Sequence, residues 1–124
     1  VTLYQVAGSV GGIVVGTGNK VEDYGVGFYT KYGDGGVDIA PIADLYKTEV
    51  WELGKHLGVD ERIVDAVPTD GLWEDGRKDE DQIGASYEQL EEAMEYRRGP
   101  AVDILDEFNM KNKHKMEPIP TFKL

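Results

Sequence analysis

Glycine is concentrated in the first forty residues of this chain, and that concentration restricts the folds open to it. The sequence has 16 glycines among 124 residues, and the early ones flank a single short β-branched stretch, Ile13 to Val15. Glycine adopts positive φ easily and lets a backbone approach another backbone or a ligand closely. We therefore predict loops around short strands in the N-terminal third of the chain.

Two extended segments and several helices are predicted from the apolar pattern. Residues 13–15 fit a strand buried on both faces of a parallel sheet, and residues 37–42 fit a strand end or edge because they contain Pro41. In such an α/β order, ligands bind beyond the carboxyl ends of the strands. The predicted helices are one opened by Glu22 and Asp23, 44–57 with Asp44 as N-cap, 60–67, one opened by a capping box between Ser86 and Gln89, and 101–113.

The stretch from Thr69 to Ala85 is rich in acids and glycine and has no apolar periodicity. Unstructured stretches of this length are uncommon inside domains, and most are functional or disordered. We therefore expect residues 70–85 to form a mobile acidic loop on the surface.

Charge and composition exclude several classes of function. A formal net charge of −11 argues against general binding to nucleic acid or to an anionic membrane face, because phosphates would be repelled over the whole surface. The chain has no cysteine, which excludes disulfides, thiolate catalysis and zinc–thiolate sites. No apolar run approaches the length of a membrane helix, which needs about 18 residues. We expect a cytoplasmic protein.

The segment "KYGDGGVD" places Lys31, Asp34 and Asp38 among three glycines. The glycines would let backbone amides and the Asp34 carboxylate approach a ligand, and Asp38 could fix a hydroxyl group or a cation. Asp-Gly is also a strong turn signal, so a simple hairpin or β-turn is the competing interpretation.

Lys47 and Glu22 are candidates for a phosphate and metal site. Lys47 falls in the first turn of the predicted 44–57 helix, where the helix dipole disfavours a cation unless an anion lies nearby. A bound phosphate would supply that anion, although a lysine pointing into water is an equally good interpretation. Glu22 could bind Mg²⁺ through its carboxylate, but acids in a first helical turn are also ordinary.

His114 and Lys115 are either ordinary cations at a helix C-terminus or an anion clamp near the end of the chain. The sequence lacks a GxxxxGK[ST] phosphate loop, and "GTGNKV" does not complete a GxGxxG motif. With Ser9 and Ser86 as the only serines, a covalent nucleophile is not expected.

Three quoted segments resemble the ammonia-dependent NAD synthetases of the ATP pyrophosphatase superfamily. They are "VVGTGNKVEDYGVGFYTKYGDGGVDIAPIADLYKTEV", "PTDGLWEDGRKDEDQIGASYEQLEEAM" and the late "HK". The resemblance covers nearly the whole chain but only about the second half of such an enzyme, since the family's N-terminal SGGxDS loop is not among these residues. Val21 stands where serine is common in the family.

The resemblance implies a fold and a set of site residues. The fold is α/β, a partial Rossmann-like (adenine nucleotide alpha hydrolase-like) parallel sheet with flanking helices, and residues 1–124 form the C-terminal part of a single synthetase domain. The catalytic positions are Lys47 and Asp34. The other implied roles are Thr17, Lys47 and Thr69 for ATP, Lys31, Asp38, His114 and Lys115 for deamido-NAD, and Glu22 for Mg²⁺.

The resemblance also implies a reaction and an assembly. Deamido-NAD is adenylated by ATP and then amidated by ammonia to give NAD, in a homodimer whose deamido-NAD sites lie at the subunit interface. These 124 residues alone would show little activity without the SGGxDS loop. Two alternatives stay open: a noncatalytic acidic module that binds a nucleotide, a cation or a partner, and another ATP pyrophosphatase with a different acceptor.

Overall fold

The computed structural model describes residues 1–123, and most of its regular structure is helical. A π-helical segment, Val21–Val26, follows the first helix and the glycine-flanked strand region. The α-helices are α1 Thr2–Val10, α2 Lys47–His56, α3 Glu61–Val64, α4 Asp79–Ile83, α5 Tyr87–Tyr96 and α6 Val102–Met116.

The predicted parallel sheet is reduced to one point of strand pairing within residues 1–123. Val15 and Ile39 form a single parallel bridge. The amide of Gly16 donates to the Ile39 carbonyl at 2.7 Å, and the Asp38 amide donates to the Val14 carbonyl at 2.9 Å. The two extended segments therefore pair in the predicted direction, but they are too short to form a sheet.

The prediction that residues 13–15 are buried on both faces is wrong. Val14 is buried, whereas Ile13 and Val15 are more than half exposed. Successive side chains of an extended chain point to opposite faces. Only the Val14 face is covered in the described structure, so the neighbouring side chains remain accessible.

The core lies between the π-helical segment, α5 and α6. Val21 and Val26 from the π-helical segment are fully buried against Tyr87 and Leu90 of α5, and Leu105 of α6 completes the cluster. α5 begins as predicted, because Ser86 Oγ accepts from the Gln89 amide at 3.3 Å and Gln89 Oε1 accepts from the Ser86 amide at 3.1 Å.

Helix α2 begins later than predicted. Its N-cap is Tyr46, not Asp44, and Lys47 is its first residue. Residues 40–45 form turns, and the Asp44 side chain is fully exposed, 3.4 Å from the Lys20 ammonium. Glu49 caps the helix instead, because its Oε2 accepts from the Tyr46 amide at 2.7 Å.

The sequence pattern predicted a loop over residues 70–85, but part of this acidic segment is helical. Asp79–Ile83 forms the short helix α4, in which Asp79 and Ile83 are buried. The sequence shows no apolar periodicity here because a helix of little more than one turn is too short to display it. Residues 70–78 remain irregular and expose Leu72 and Trp73.

Helix α6 closes the core with a row of polar side chains. Asn109 Nδ2 donates to the carbonyls of Tyr24 and Gly25 at 3.1 and 3.0 Å, and Asn112 Nδ2 donates to that of Val26 at 2.9 Å. A π-helix ends with carbonyls that lack partners, as every helix does. The row on α6 supplies those partners and fixes the segment that carries Glu22.

None of the helices formed by residues 1–123 combines the length and the apolar character that crossing a bilayer requires.

Candidate active site

Glu22 and Lys47 meet at the centre of the candidate site. Asn19, which is buried, accepts from the amides of Val21 and Glu22 at 3.0 and 3.1 Å and so fixes the start of the π-helical segment. From this segment Glu22 Oε1 reaches Lys47 Nζ at 2.8 Å. The two side chains are only 17% and 18% exposed, so the pair is largely shielded from water.

Tyr87 and Asp79 complete what we call the Glu22 cluster: Glu22, Lys47, Asp79 and Tyr87. The Tyr87 hydroxyl lies 2.9 Å from Glu22 Oε1 and 3.4 Å from Asp79 Oδ2. Burial, and then the charge of Glu22, raise the pKa of Tyr87, so the hydroxyl keeps its proton. Burial and the same charge raise the pKa of Asp79.

An anion that stabilises Lys47 at this helix end is thus supplied by the chain itself. The Glu22 carboxylate offsets the unfavourable interaction of Lys47 with the helix dipole. The next amide of α2, that of Thr48, is also taken, because it donates to Glu91 Oε1 of α5 at 3.0 Å. The helix end is held by carboxylates before any ligand binds.

A second group of candidate residues lines a cavity of about 170 Å³, which we call the Asp34 cleft. Asp23, Tyr29, Asp34 and Lys115 all contribute to its wall. Burial first, then Glu22 and Asp34, raise the pKa of Asp23 to about 6. The cleft adjoins the Glu22 cluster through the neighbouring residues Glu22 and Asp23.

Two lysines of the Asp34 region bind backbone carbonyls. Lys115 Nζ donates to Gly27 O at 2.9 Å and to Tyr29 O at 2.7 Å. Lys31 Nζ donates in turn to the His114 carbonyl. These crossed contacts join the glycine-aspartate segment to the C-terminal end of α6.

The two aspartates of "GDGGVD" also have partners. Asp34 Oδ1 accepts from the Thr30 amide at 2.8 Å, which closes the predicted turn. Asp38 Oδ2 accepts from the Val14 amide at 2.7 Å and extends the strand pairing. Thr17 is exposed and shares a groove wall with Asp34.

Thr69 makes its hydrogen bonds within the acidic segment. Its hydroxyl donates to the Arg77 carbonyl at 3.0 Å, within the acidic segment. In residues 1–123 no hydrogen bond or ion pair joins Thr69 to the Glu22 cluster, although the Asp79 amide donates to the neighbouring Pro68 carbonyl at 3.1 Å.

Glu22 and Lys47 were thus predicted as site residues from the sequence, whereas Tyr87 and Asp79 were not. Tyr87 fits the buried apolar stripe of α5, and that pattern concealed its hydroxyl. Asp79 is one of many acids in its segment, so no sequence signal distinguished it. A tyrosine at the first position of a helix that faces a predicted acidic site could have drawn attention to the hydroxyl.

A shielded carboxylate and lysine therefore lie beside a glycine-lined cleft to whose wall Lys115 also contributes. A sequence model of the NAD synthase family matches residues 1–120. The chain therefore belongs to the NAD synthase family.

Two curated relatives carry the name NH3-dependent NAD+ synthetase. The protein of Methanococcoides burtonii is 54% identical over 93 residues, which is 75% of this chain and 35% of the relative. The protein of Alkaliphilus metalliredigens is 43% identical over 123 residues, 96% of this chain and 49% of the relative. The chain thus spans half or less of the length of these relatives.

Two solved structures share the fold. NMN synthetase from Francisella tularensis superposes with a TM-score of 0.92 at 35% identity, over 99% of this chain and 52% of that protein. The NH3-dependent NAD synthetase of Campylobacter jejuni, solved with a nitrate ion, gives a TM-score of 0.69 at 26% identity, over 98% of this chain and 50% of that one. The fold is therefore that of these synthetases, although the predicted sheet is represented here by a single bridge.

Proposed function

We propose that this chain carries part of the active site of an ATP-dependent enzyme that converts deamido-NAD and ammonia to NAD. The observation that carries the proposal is the shielded contact between Glu22 and Lys47, which lies beside the Asp34 cleft. Family membership supports the same reaction, because the relatives named above are NH3-dependent NAD+ synthetases.

The proposed reaction has two steps. A nicotinate carboxylate oxygen of deamido-NAD attacks the α-phosphorus of ATP, and the bond to the β-phosphate breaks to release pyrophosphate. Ammonia then attacks the carbonyl carbon of the adenylate, AMP leaves, and one proton is lost to solvent. Lys47 offsets the charge that develops on the phosphates. No protein nucleophile is needed, so the chain contributes mainly positioning and charge.

The Glu22 carboxylate suits magnesium bound together with phosphates. Lys47 and Tyr87 both bind Oε1, whereas Oε2 has only a long contact of 3.5 Å with the Asn19 amide. Within residues 1–123 no three acidic or histidine side chains form a metal site by themselves. Mg²⁺ commonly takes one or two carboxylates and completes its shell with phosphate oxygens and water. When bound, it would offset charge on the departing pyrophosphate.

The Asp34 cleft is the proposed location of deamido-NAD. Lys31, Asp38, His114 and Lys115 would bind the dinucleotide, and Asp34 would lie near its reacting end. Lys115 lines the cleft, and Lys31 is bound to the carbonyl of the preceding residue, His114. A phosphate is a stronger acceptor for a lysine than a carbonyl, so the dinucleotide would compete for both ammonium groups.

Thr17 and Thr69 are proposed to contact ATP. Thr17 is exposed on the groove that reaches Asp34, which gives its hydroxyl access to a ligand. Thr69 begins the acidic segment, and its irregular part, residues 70–78, would move to cover the site, whereas Ile83 and Ala85 are held in the core. Closure over a reactive adenylate excludes water.

Location and assembly follow from the family as proposals. The enzyme would work in the cytoplasm as a homodimer, with deamido-NAD at the subunit interface. The net charge of −11 supports a small-molecule substrate in preference to a nucleic acid or a membrane surface.

The test is NAD formation from deamido-NAD, ATP, Mg²⁺ and ammonia by the natural protein that contains these residues. Lys47→Ala should lower kcat/KM by roughly 100-fold to 1,000-fold, the usual effect of removing a charge that stabilises a transition state. Lys20→Ala is the matched control, since Lys20 pairs with Asp44 and stacks on Tyr46. An unchanged rate in Lys47→Ala would exclude the phosphate role.

A second candidate is amidation of nicotinate mononucleotide, which lacks the AMP half of deamido-NAD. The superposition on NMN synthetase at a TM-score of 0.92, against 0.69 for the NAD synthetase, favours it. Assaying both acceptors under identical conditions separates the candidates through their kcat/KM values. If neither is amidated, a noncatalytic nucleotide-binding module or another ATP pyrophosphatase becomes the better description.

A further inference from the structure

The hydroxyl of Tyr87 lies close to two carboxylates and can donate a hydrogen bond to one of them. Its oxygen is 2.9 Å from Glu22 Oε1 and 3.4 Å from Asp79 Oδ2. A phenol donates a single hydrogen bond, and the nearer acceptor is Glu22. Asp79 lies on the other side of the hydroxyl, with only 8% of its surface exposed and Oδ1 lacking a partner within residues 1–123.

Tyr87 contacts both members of the central pair. Its ring lies beneath Lys47, whose Nζ is 5.0 Å from the ring centroid, and its hydroxyl binds the oxygen of Glu22 that Lys47 also binds. The ring is fully buried and packs edge-on against Trp51 at 6.0 Å between centroids. The hydroxyl therefore cannot swing away without displacing core side chains.

The hydrogen bonds of Glu22 are unevenly divided. Oε1 accepts from Lys47 and Tyr87, while the one contact of Oε2 with residues 1–123 is that of 3.5 Å with the Asn19 amide. A carboxylate held firmly at one oxygen presents the other in a fixed direction. Groups that orient a metal-binding carboxylate in this way commonly change metal affinity by about 10-fold to 100-fold when they are removed.

We propose that Tyr87 is a positioning residue, whose hydroxyl and ring hold Glu22 and Lys47 in the orientation that meets a divalent cation and nucleotide phosphates. This inference rests on the proposed function, because it takes the Glu22 cluster to be the cation and phosphate site.

The chain supplies a matched control in Tyr46. Its hydroxyl binds Glu95 Oε2 at 2.8 Å, and Lys20 Nζ lies 4.7 Å from its ring centroid, so the same kinds of contact occur away from the Glu22 cluster. Tyr87→Phe and Tyr46→Phe each remove one hydroxyl from a tyrosine bound to a glutamate and a lysine. A difference between their effects on cation binding would therefore arise from the place of the Tyr87 hydroxyl in the Glu22 cluster.

The experiment measures Mn²⁺ binding by electron paramagnetic resonance in the natural protein, with α,β-methylene-ATP present. Tyr87→Phe should raise the Kd for Mn²⁺ about 10-fold, at the lower end of the range for such groups. Tyr46→Phe should change it less than 2-fold. Equal effects of the two substitutions, or no Mn²⁺ binding that depends on Glu22, would overturn the proposal.

A double-mutant cycle tests whether Tyr87 acts through Glu22. In a Glu22→Gln background, Tyr87→Phe should add little further loss of Mn²⁺ affinity, because residues that act through one contact are non-additive. A full additional 10-fold loss in that background would show that Tyr87 acts independently of Glu22, against the proposal.

Asp79→Asn provides a second variant should Tyr87→Phe fail to fold. The new amide can donate to the Tyr87 oxygen and leaves the hydrogen bond from the hydroxyl to Glu22 intact, so the loss of Mn²⁺ affinity should be smaller than that of Glu22→Gln. A loss as large as that of Glu22→Gln would assign the cation to Asp79 and overturn the proposal. Amidation of either acceptor is measured separately. An Mn²⁺ site that depends on Tyr87 in a protein that amidates neither acceptor would contradict the proposed function but not the role of Tyr87.

Discussion

At the scale of single residues, the site concentrates acids that are close in sequence and in space. Glu22 is bonded by Lys47, but the adjacent Asp23 lies against the Gly18 backbone and has Glu22 and Asp34 as its charged neighbours. Burial and these charges raise the pKa of Asp23 to about 6 from its ordinary value of 3.8. Ionised Asp23 thus weakens the folded state.

The sign of the resulting pH dependence follows from proton binding. Between pH values of about 4 and 6 the folded state holds the Asp23 proton more tightly than the unfolded state, so stability falls as the pH rises through that window. Asp23→Asn should therefore raise the melting temperature at pH 7.5 and have little effect at pH 4.

Thermal melts in EDTA at both pH values test this prediction, since the chelator removes cations that would screen the acids. Asp103→Asn, an exposed acid at the start of α6, is the control. A gain from Asp23→Asn that is equally large at pH 4 would contradict the assigned cause.

At the scale of elements, the contact between α6 and the π-helical segment has the clearest energetic consequence. Asn112→Ala removes the donor to the Val26 carbonyl and leaves a buried acceptor without a partner. Such a loss costs about 1–3 kcal/mol. Alanine favours helix more than asparagine by several tenths of a kcal/mol, so the net loss should be about 1 kcal/mol or more.

Urea denaturation of Asn112→Ala beside Lys111→Ala measures this loss. Lys111 is an exposed neighbour on the same helix, so its replacement controls for truncating a side chain of α6 to alanine. Unfolding of Asn112→Ala at the same urea concentration as Lys111→Ala would show that the carbonyl is satisfied in another way.

The sequence predicted elements well where the signal is local. The capping box of Ser86 and Gln89 fixed the start of α5, and the helix predicted over 60–67 does begin at Glu61, although it ends at Val64. It failed where tertiary contacts decide. Asp44 has the chemistry of an N-cap, yet Tyr46 begins α2, because Glu49 caps the helix there and Asp44 pairs with Lys20.

The site was predictable to the same extent. Residue chemistry indicated Glu22 and Lys47 separately, and the resemblance to a family linked them. Their contact with Tyr87 depends on how the π-helical segment packs against α5, which no periodicity encodes. Lys115 and Lys31 were expected to bind a ligand, but their contacts with backbone carbonyls depend on the path of a glycine-rich segment that sequence patterns do not specify.

At the scale of the whole molecule, the chain exposes more surface than its mass requires. The accessible surface is 8891 Å², whereas a folded monomer of 13.7 kDa typically exposes about 6,600 Å². The excess, roughly 2,300 Å² on one chain, would amount to about 4,600 Å² over two such partners, within the range of about 2,000–5,000 Å² that obligate interfaces bury in total. The helix α1 contributes to it, since none of its side chains is buried.

In relatives of about twice this length the other half of the protein is available to cover such a surface, so the expectation concerns these 124 residues alone: exposed in isolation, they should self-associate. Analytical ultracentrifugation should give a mass above 13.7 kDa that rises with concentration. Leu3→Ser on α1 should weaken association more than Ile63→Ser on α3, although the two side chains are almost equally exposed, at 68% and 69%. A monomer at every concentration would contradict this expectation.

The π-helical segment also restricts how the gene for this chain can change. A π-helix accommodates one residue more than the α-helical turn it replaces. Deleting one residue would restore α-helical spacing and change which side chains of the segment face α5 and α6, since successive residues of an α-helix lie about 100° apart. Glu22 would then no longer meet Lys47 and Tyr87. Codon insertions and deletions between Asn19 and Phe28 should be purged by selection even at positions that tolerate many substitutions.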